Sequence, residues 1–170
     1  MGKMITNNQI ESYNFPQGVL SQMYSTVAGG KPGVFTKVGL NTFVDPRIEG
    51  GKMNEVSEEE LVKVKEIEGE EWLFFPSFDI NVSLIRGTTA DLKGNITYEE
   101  EAAILEGISI AQAAKACDGI VIAQVKYLAE NGTLDPRKVR VPGVNVDYIV
   151  VEEEQKQNCL NFYDPSFNGA

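Results

Sequence analysis

The sequence predicts an α/β fold: three layers, α/β/α, around a mainly parallel sheet with a peripheral β-hairpin. Three observations carry this expectation. Residues 120–125 are dominated by β-branched side chains, as in a strand buried on both faces. Ahead of them, Ile104, Leu105, Ile108, Ala111 and Ala114 recur at spacings of three and four, one apolar face of a helix. Before that, residues 81–86 read as a core strand. A strand, a helix and a strand in this order imply a right-handed crossover and a parallel pair.

The other elements follow in chain order. Residues 1–13 are a polar lead-in. Pro16 opens a helix whose apolar positions are Val19, Leu20, Met23 and Val27, and Gly29-Gly30 stops it. After the Pro32-Gly33 turn, Val34, Phe35, Val38 and Leu40 suit a buried strand. Ser57 with Glu60 matches a capping box, so a short helical turn is expected there. A hairpin runs from about Val62 to Phe75, with its turn at Glu68-Gly69. Lys93-Gly94-Asn95 is a turn, and Thr97 with Glu100 forms a second capping box in front of the apolar-faced helix. Gly119 ends that helix, and a final strand lies within 144–151. The segment 152–170 is polar, contains Pro165 and reads as a connector or tail.

Composition narrows the function classes. Hydrophobic residues make up 42% and charged residues 24%, an ordinary globular composition. No apolar run approaches the roughly 20 residues of a membrane span, and no secretory signal is visible, so a cytoplasmic setting is expected. Two cysteines, Cys117 and Cys159, are too few for a disulfide framework. With no histidine, Ser-His-Asp and Cys-His catalysis are excluded within this chain, and no metal site is expected. The net charge of −10 argues against nucleic acid as a partner.

Several residues invite a chemical reading. Gly39-Leu40-Asn41-Thr42-Phe43 follows a strand, where α/β sheets place ligands; from spacing alone a plain turn is the stronger reading. Arg86-Gly87-Thr88-Thr89-Ala90-Asp91 also follows a strand, and its hydroxyls suit either a ligand or their own backbone. Glu130-Asn131-Gly132 has the E-x-G form of a nucleophilic glutamate but sits in A-E-N-G-T-L-D-P, which reads as a turn. Cys117 suits a small buried side chain better than a nucleophile. Glu99, Glu100 and Glu101 fit the first turn of a helix, where negative charge is favoured. The runs 58–60 and 152–154 read as solvated surface. Neither nucleotide-binding glycine fingerprint is present.

Four ordered stretches, VGLNTFVDPRIEGGKMN at 38–54, LIRGTTADLKGNIT at 84–97, AAKACDGIVIAQV at 113–125 and LDPRKVRVPGVNVDYIVV at 134–151, resemble the α-type half of the family I coenzyme A transferases, in the acetate and propionate branch. The resemblance implies one CoA-transferase domain over 14–151, lacking the family's early glycine-rich motif, so that the sequence reads as an internal fragment or one product of a split gene. It implies an acyl-CoA:carboxylate CoA-transferase that moves CoA between short-chain carboxylates through a glutamyl-CoA intermediate. The nucleophilic glutamate belongs to a β-type half, so the expected partner is that half, in a homo-oligomer or hetero-oligomer, and the chain alone is expected to be inactive. CoA is a substrate, and no cofactor is implied. Gly39, Asn41, Thr42 and Phe43 are the implied substrate-binding residues; many relatives are expected to carry glycine where Asn41 stands. The alternative is a non-catalytic binding or assembly domain on the same scaffold.

Overall fold

A computed structural model describes residues 1–157 and 163–169. The chain divides into two compact units, Met1–Phe78 and Asp79–Ala170. The division falls inside the 14–151 span that the sequence reads as one domain.

In the first unit, helix α1 (Gly2–Thr6) and helix α2 (Gln17–Ala28) precede strands β1 (Gly33–Thr36), β2 (Lys63–Ile67) and β3 (Glu70–Pro76). The lead-in is therefore ordered. Ser12 N–H donates to the Ser57 hydroxyl at 2.8 Å, which donates back to Ser12 C=O at 2.9 Å. That exchange engages the Ser57 side chain, and no helical turn forms after it. Helix α2 ends at Ala28 because Gly30 turns to φ 63. It buries Val19, Met23 and Val27. The hairpin forms as expected, with Glu68 and Gly69 both at positive φ, the backbone a two-residue hairpin turn requires. The antiparallel order is β1-β3-β2, and period-two alternation buries Val34, Leu73 and Phe75. Strand β1 stops at Thr36, so Val38 and Leu40 lie in a loop instead of the predicted strand.

The second unit contains β4 (Val82–Arg86), β5 (Thr89–Asp91), β6 (Ile96–Thr97), helix α3 (Gly107–Ala116), β7 (Ile120–Val125), β8 (Tyr127–Ala129) and β9 (Tyr148–Val151). Strands β4, β7 and β9 form an all-parallel sheet in the order β4-β7-β9, while β5 pairs antiparallel with β6 and parallel with β8. The α/β class with a mainly parallel sheet and a hairpin is thus what the chain adopts. Helix α3 lays Ala111 and Ala114 against Ile85, Val121 and Ala123. Small alanines bring the helix axis close to the sheet, and the contacts are tight, with these residues almost wholly removed from water.

Two expectations fail at the start of α3. Thr97 lies in β6, paired with Thr89, and the Glu100 N–H donates to the Thr88 hydroxyl at 2.9 Å instead. The helix begins at Gly107, leaving Ile104 and Leu105 exposed outside it. At its other end Asp118 adopts φ 55, and the Gly119 N–H closes on Ala114 C=O. Next to β5, Asp91 organises the predicted 93–95 turn by accepting the Lys93 and Asn95 N–H groups and the Asn95 amide. Burial pushes the Asp91 carboxyl up, but these hydrogen bonds outweigh it and the net shift is downward. Among the described residues no helix is long and apolar enough to cross a membrane. The predicted tail 152–170 includes Cys159, which lies outside the described residues; Pro165–Asn168 form a 3-10 turn capped by Asp164.

Candidate functional site

Residues 37–52 fold back on a buried carboxylate. Asp45, 1% exposed, accepts the Asn41 N–H at 2.9 Å, the Arg47 N–H at 3.1 Å and two guanidinium N–H groups of Arg47 at 2.9 and 2.7 Å. Arg47 then donates to both Glu71 carboxylate oxygens at 2.9 Å, tying the loop to β3. The Arg47 hydrogen bonds, against the opposing effect of burial, hold the Asp45 carboxyl well below the usual carboxylate range. Pro46 fits between the acid and the base, where its fixed φ suits the turn.

All four implied substrate-binding residues lie in this loop. Gly39 has φ 102, a conformation open to glycine, and an added Cβ would press on Leu73. Asn41 sits at φ 60, a left-handed conformation that asparagine tolerates and glycine finds easier. Its N–H bond to Asp45 holds that geometry. The Thr42 hydroxyl donates to Gly39 C=O at 2.8 Å, and Phe43 is exposed. The loop therefore presents Asn41, Thr42 and Phe43 outward from a rigid base. It contains no nucleophile, so its chemistry is recognition. Sequence reasoning named the outward residues but missed Asp45 and Arg47. An acid and a base flanking a proline in an otherwise apolar loop was the available signal.

The second candidate loop, 86–91, lies at the carboxyl ends of the parallel strands. Its groups are consumed internally. Arg86 pairs with Glu101 at 2.9 Å, and the Glu101 side chain is almost fully buried. Lys126 pairs with Glu100 at 2.9 Å, and the Thr89 hydroxyl donates to Glu99. Gln155 donates to Gly87 C=O at 2.8 Å and to Glu101 at 3.1 Å. The hydrogen bond from Glu100, then that from Tyr127, pushes the Lys126 ammonium pKa up. The cavity left among Thr88, Glu100, Lys126 and Gln157 is about 10 Å³, space for about one water. This cluster is structural, and it corrects the sequence reading of Glu99, Glu100 and Glu101, which are not in a helix. Glu101 carried no sequence signal, because its partner is fifteen residues away.

Beside it opens a cleft of about 950 Å³ whose walls include Tyr98, Ile104, Leu134, Lys138, Arg140 and Phe167. Burial, then the Glu101 charge, pushes the Tyr98 hydroxyl up to about 12, keeping it a neutral donor. Glu130 is exposed and its backbone C=O accepts from Thr133, so Glu130-Asn131-Gly132 is the turn that its context indicated. Gly132 has φ 79 with nothing near a would-be Cβ. Gly132→Val is accordingly expected to lower the denaturation midpoint through backbone strain alone, at a cost of about 1–2 kcal/mol, whereas Glu130→Ala leaves it unchanged. Thermal melts of the two variants compare them directly. Cys117 is half-buried at the end of α3. Among the described residues no group of His, Cys, Asp and Glu is placed to hold a metal ion.

The family model for coenzyme A transferase matches residues 1–152. The caffeate CoA-transferase of Acetobacterium woodii is 48% identical over 173 residues, covering 99% of this chain and 33% of that protein. The acetoacetyl-CoA:acetate/butyrate CoA transferase alpha subunit of Clostridium acetobutylicum is 33% identical, covering 89% of this chain and 61% of that subunit. A crystal structure of the acyl-CoA transferase YdiF from Escherichia coli O157:H7, a thioester complex with CoA, superposes with a TM-score of 0.92 at 39% identity, over 98% of this chain and 34% of that one. The chain thus spans about a third of the length of the caffeate CoA-transferase and of YdiF.

Proposed function

The chain belongs to the coenzyme A transferase family, and we propose that it serves as part of an acyl-CoA:carboxylate CoA-transferase acting on short-chain carboxylates such as acetate and propionate. The observation that carries this reading is the 48% identity to a CoA-transferase across 99% of the chain. The 37–52 loop supports the role we assign to these residues. Gly39, Asn41, Thr42 and Phe43, held by Asp45, form part of the acyl-substrate side.

The chemistry proposed for the complete enzyme is covalent. A glutamate outside residues 1–170 attacks the donor thioester carbonyl, giving an acyl-glutamyl anhydride and releasing CoA thiolate. The thiolate then attacks the glutamyl carbonyl of the anhydride, forming glutamyl-CoA and freeing the donor carboxylate. The acceptor carboxylate reverses both steps. CoA enters and leaves as a substrate, and no cofactor is invoked. A β-type half supplies the glutamate. Within this chain, Glu130 lies on a turn far from any organised partner, and Glu101 is committed to Arg86, so neither is assigned the nucleophile's role.

Acetyl-CoA and propionate incubated with residues 1–170 alone should yield no propionyl-CoA, while the complete enzyme carrying these residues should yield it. Turnover by the isolated chain that disappears in Glu130→Gln overturns the placement of the nucleophile. A complete enzyme with no CoA transfer to any short-chain carboxylate overturns the functional reading and favours a binding or assembly domain.

A further inference from the structure

The parallel sheet of the second unit is covered on one face only. The face under α3 carries Ser83, Ile85, Val121, Ala123 and Val125, all buried. The register places Val82 beside Ile120, Leu84 beside Ile122, and Ile122 beside Tyr148 on the opposite face, with Val150 next along it. These side chains are apolar apart from one phenol, yet Leu84 is 74% exposed and Tyr148 59% exposed. Residues 120–125 read in sequence as a strand buried on both faces, so the sequence is written for a cover that residues 1–170 do not supply. Purely parallel sheets are found almost solely with helices on both faces, because their crossovers put helices there. A contiguous apolar patch on a soluble chain marks an interaction surface.

We propose that this face is the docking surface for an amphipathic helical layer contributed by the remainder of the transferase polypeptide. The inference rests on the CoA-transferase reading for the existence of that remainder. Two observations favour this occupant over a second copy of the chain. The matched relatives extend to about three times the length covered here, ample for such a layer. Two copies stacked sheet to sheet would bring together chains of net charge −10 each, and would leave a parallel sheet packed on a parallel sheet.

The test uses residues 1–170 and, as the probe, the part of the Acetobacterium woodii caffeate CoA-transferase lying outside the matched third, expressed as a separate polypeptide. Binding is measured by titration calorimetry, and mass by light scattering. The expected result is a heteromeric complex that Leu84→Lys with Tyr148→Lys weakens at least tenfold, with Leu84→Thr intermediate. Val144→Lys, on the exposed loop after Pro142, should change binding less than twofold. Circular dichroism confirms folding, and Leu84→Thr keeps strand propensity should the lysine variant unfold. Three results overturn the proposal: no complex with the probe, equal affinity in the Leu84 and Tyr148 variants, or a homodimer of residues 1–170 that those substitutions abolish. A complex that forms through this face but transfers no CoA leaves the docking surface standing and removes the functional reading instead.

Discussion

Replacing Asp45 by alanine is expected to destabilise the first unit by about 2–3 kcal/mol, the scale for hydrogen bonds to a charged group whose buried partners are left unsatisfied. The variant strands the Asn41 and Arg47 N–H groups and leaves a void at a position only 1% exposed. The loss stays below that of a fully buried ion pair because the Arg47 side chain is 45% exposed and retains Glu71. The single tryptophan, Trp72, adjoins Glu71 in β3, so its fluorescence during urea denaturation reports on this unit. The pH dependence has a fixed sign. Asp45 ionises more readily folded than unfolded, where its pKa is near 3.8. Its contribution is therefore complete above that value and is lost as pH falls below it toward the folded pKa. Wild type and Asp45→Asn should differ in midpoint at pH 6 and converge below pH 4. An unchanged gap on acidification would show that the carboxylate charge does not hold the loop.

Gly143→Ala is expected to be the most damaging single-methyl change in the second unit, costing about 3 kcal/mol, the upper end for overpacking. A Cβ at position 143 would lie 1.9 Å from the Lys93 C=O oxygen and 2.8 Å from its carbon. Both are backbone atoms of a turn fixed by Asp91, and the Gly143 N–H itself donates to the Asn95 side chain at 3.0 Å. Neither side can retreat without breaking that bond. Gly18→Ala, in α2 with nothing within 4 Å of a would-be Cβ, is the matched control and should be neutral or slightly stabilising. Far-UV circular dichroism melts of the two variants read the difference. A Gly143→Ala midpoint equal to wild type would mean that the 93–95 turn moves freely.

How far the sequence reaches depends on how local the deciding interaction is. The hairpin, α2 and the β4–α3–β7 order were legible because periodicity and glycine stops act within a few residues. Both capping boxes were legible as patterns and wrong as structure. Ser57 spends its hydroxyl on Ser12, and the Glu100 N–H goes to Thr88, so partners distant in sequence outcompeted the local ones. The outward residues of the candidate site, Gly39 to Phe43, could be named from their place after a strand and from the family resemblance. The groups that hold them in place, Asp45 and Arg47 with Glu71, could not, because Glu71 joins the loop only after the hairpin brings it there.

By itself the sequence determined the α/β class, the family and the position of the recognition loop, since each is written in short-range pattern or in motif order. Tertiary structure alone decided that Glu99, Glu100 and Glu101 serve as internal counter-charges, and that the 86–91 loop is closed on itself. It also decided that one sheet face remains bare. Burial is the reason: whether a carboxylate or a leucine meets water depends on what packs above it, and that is set by chain segments remote in sequence.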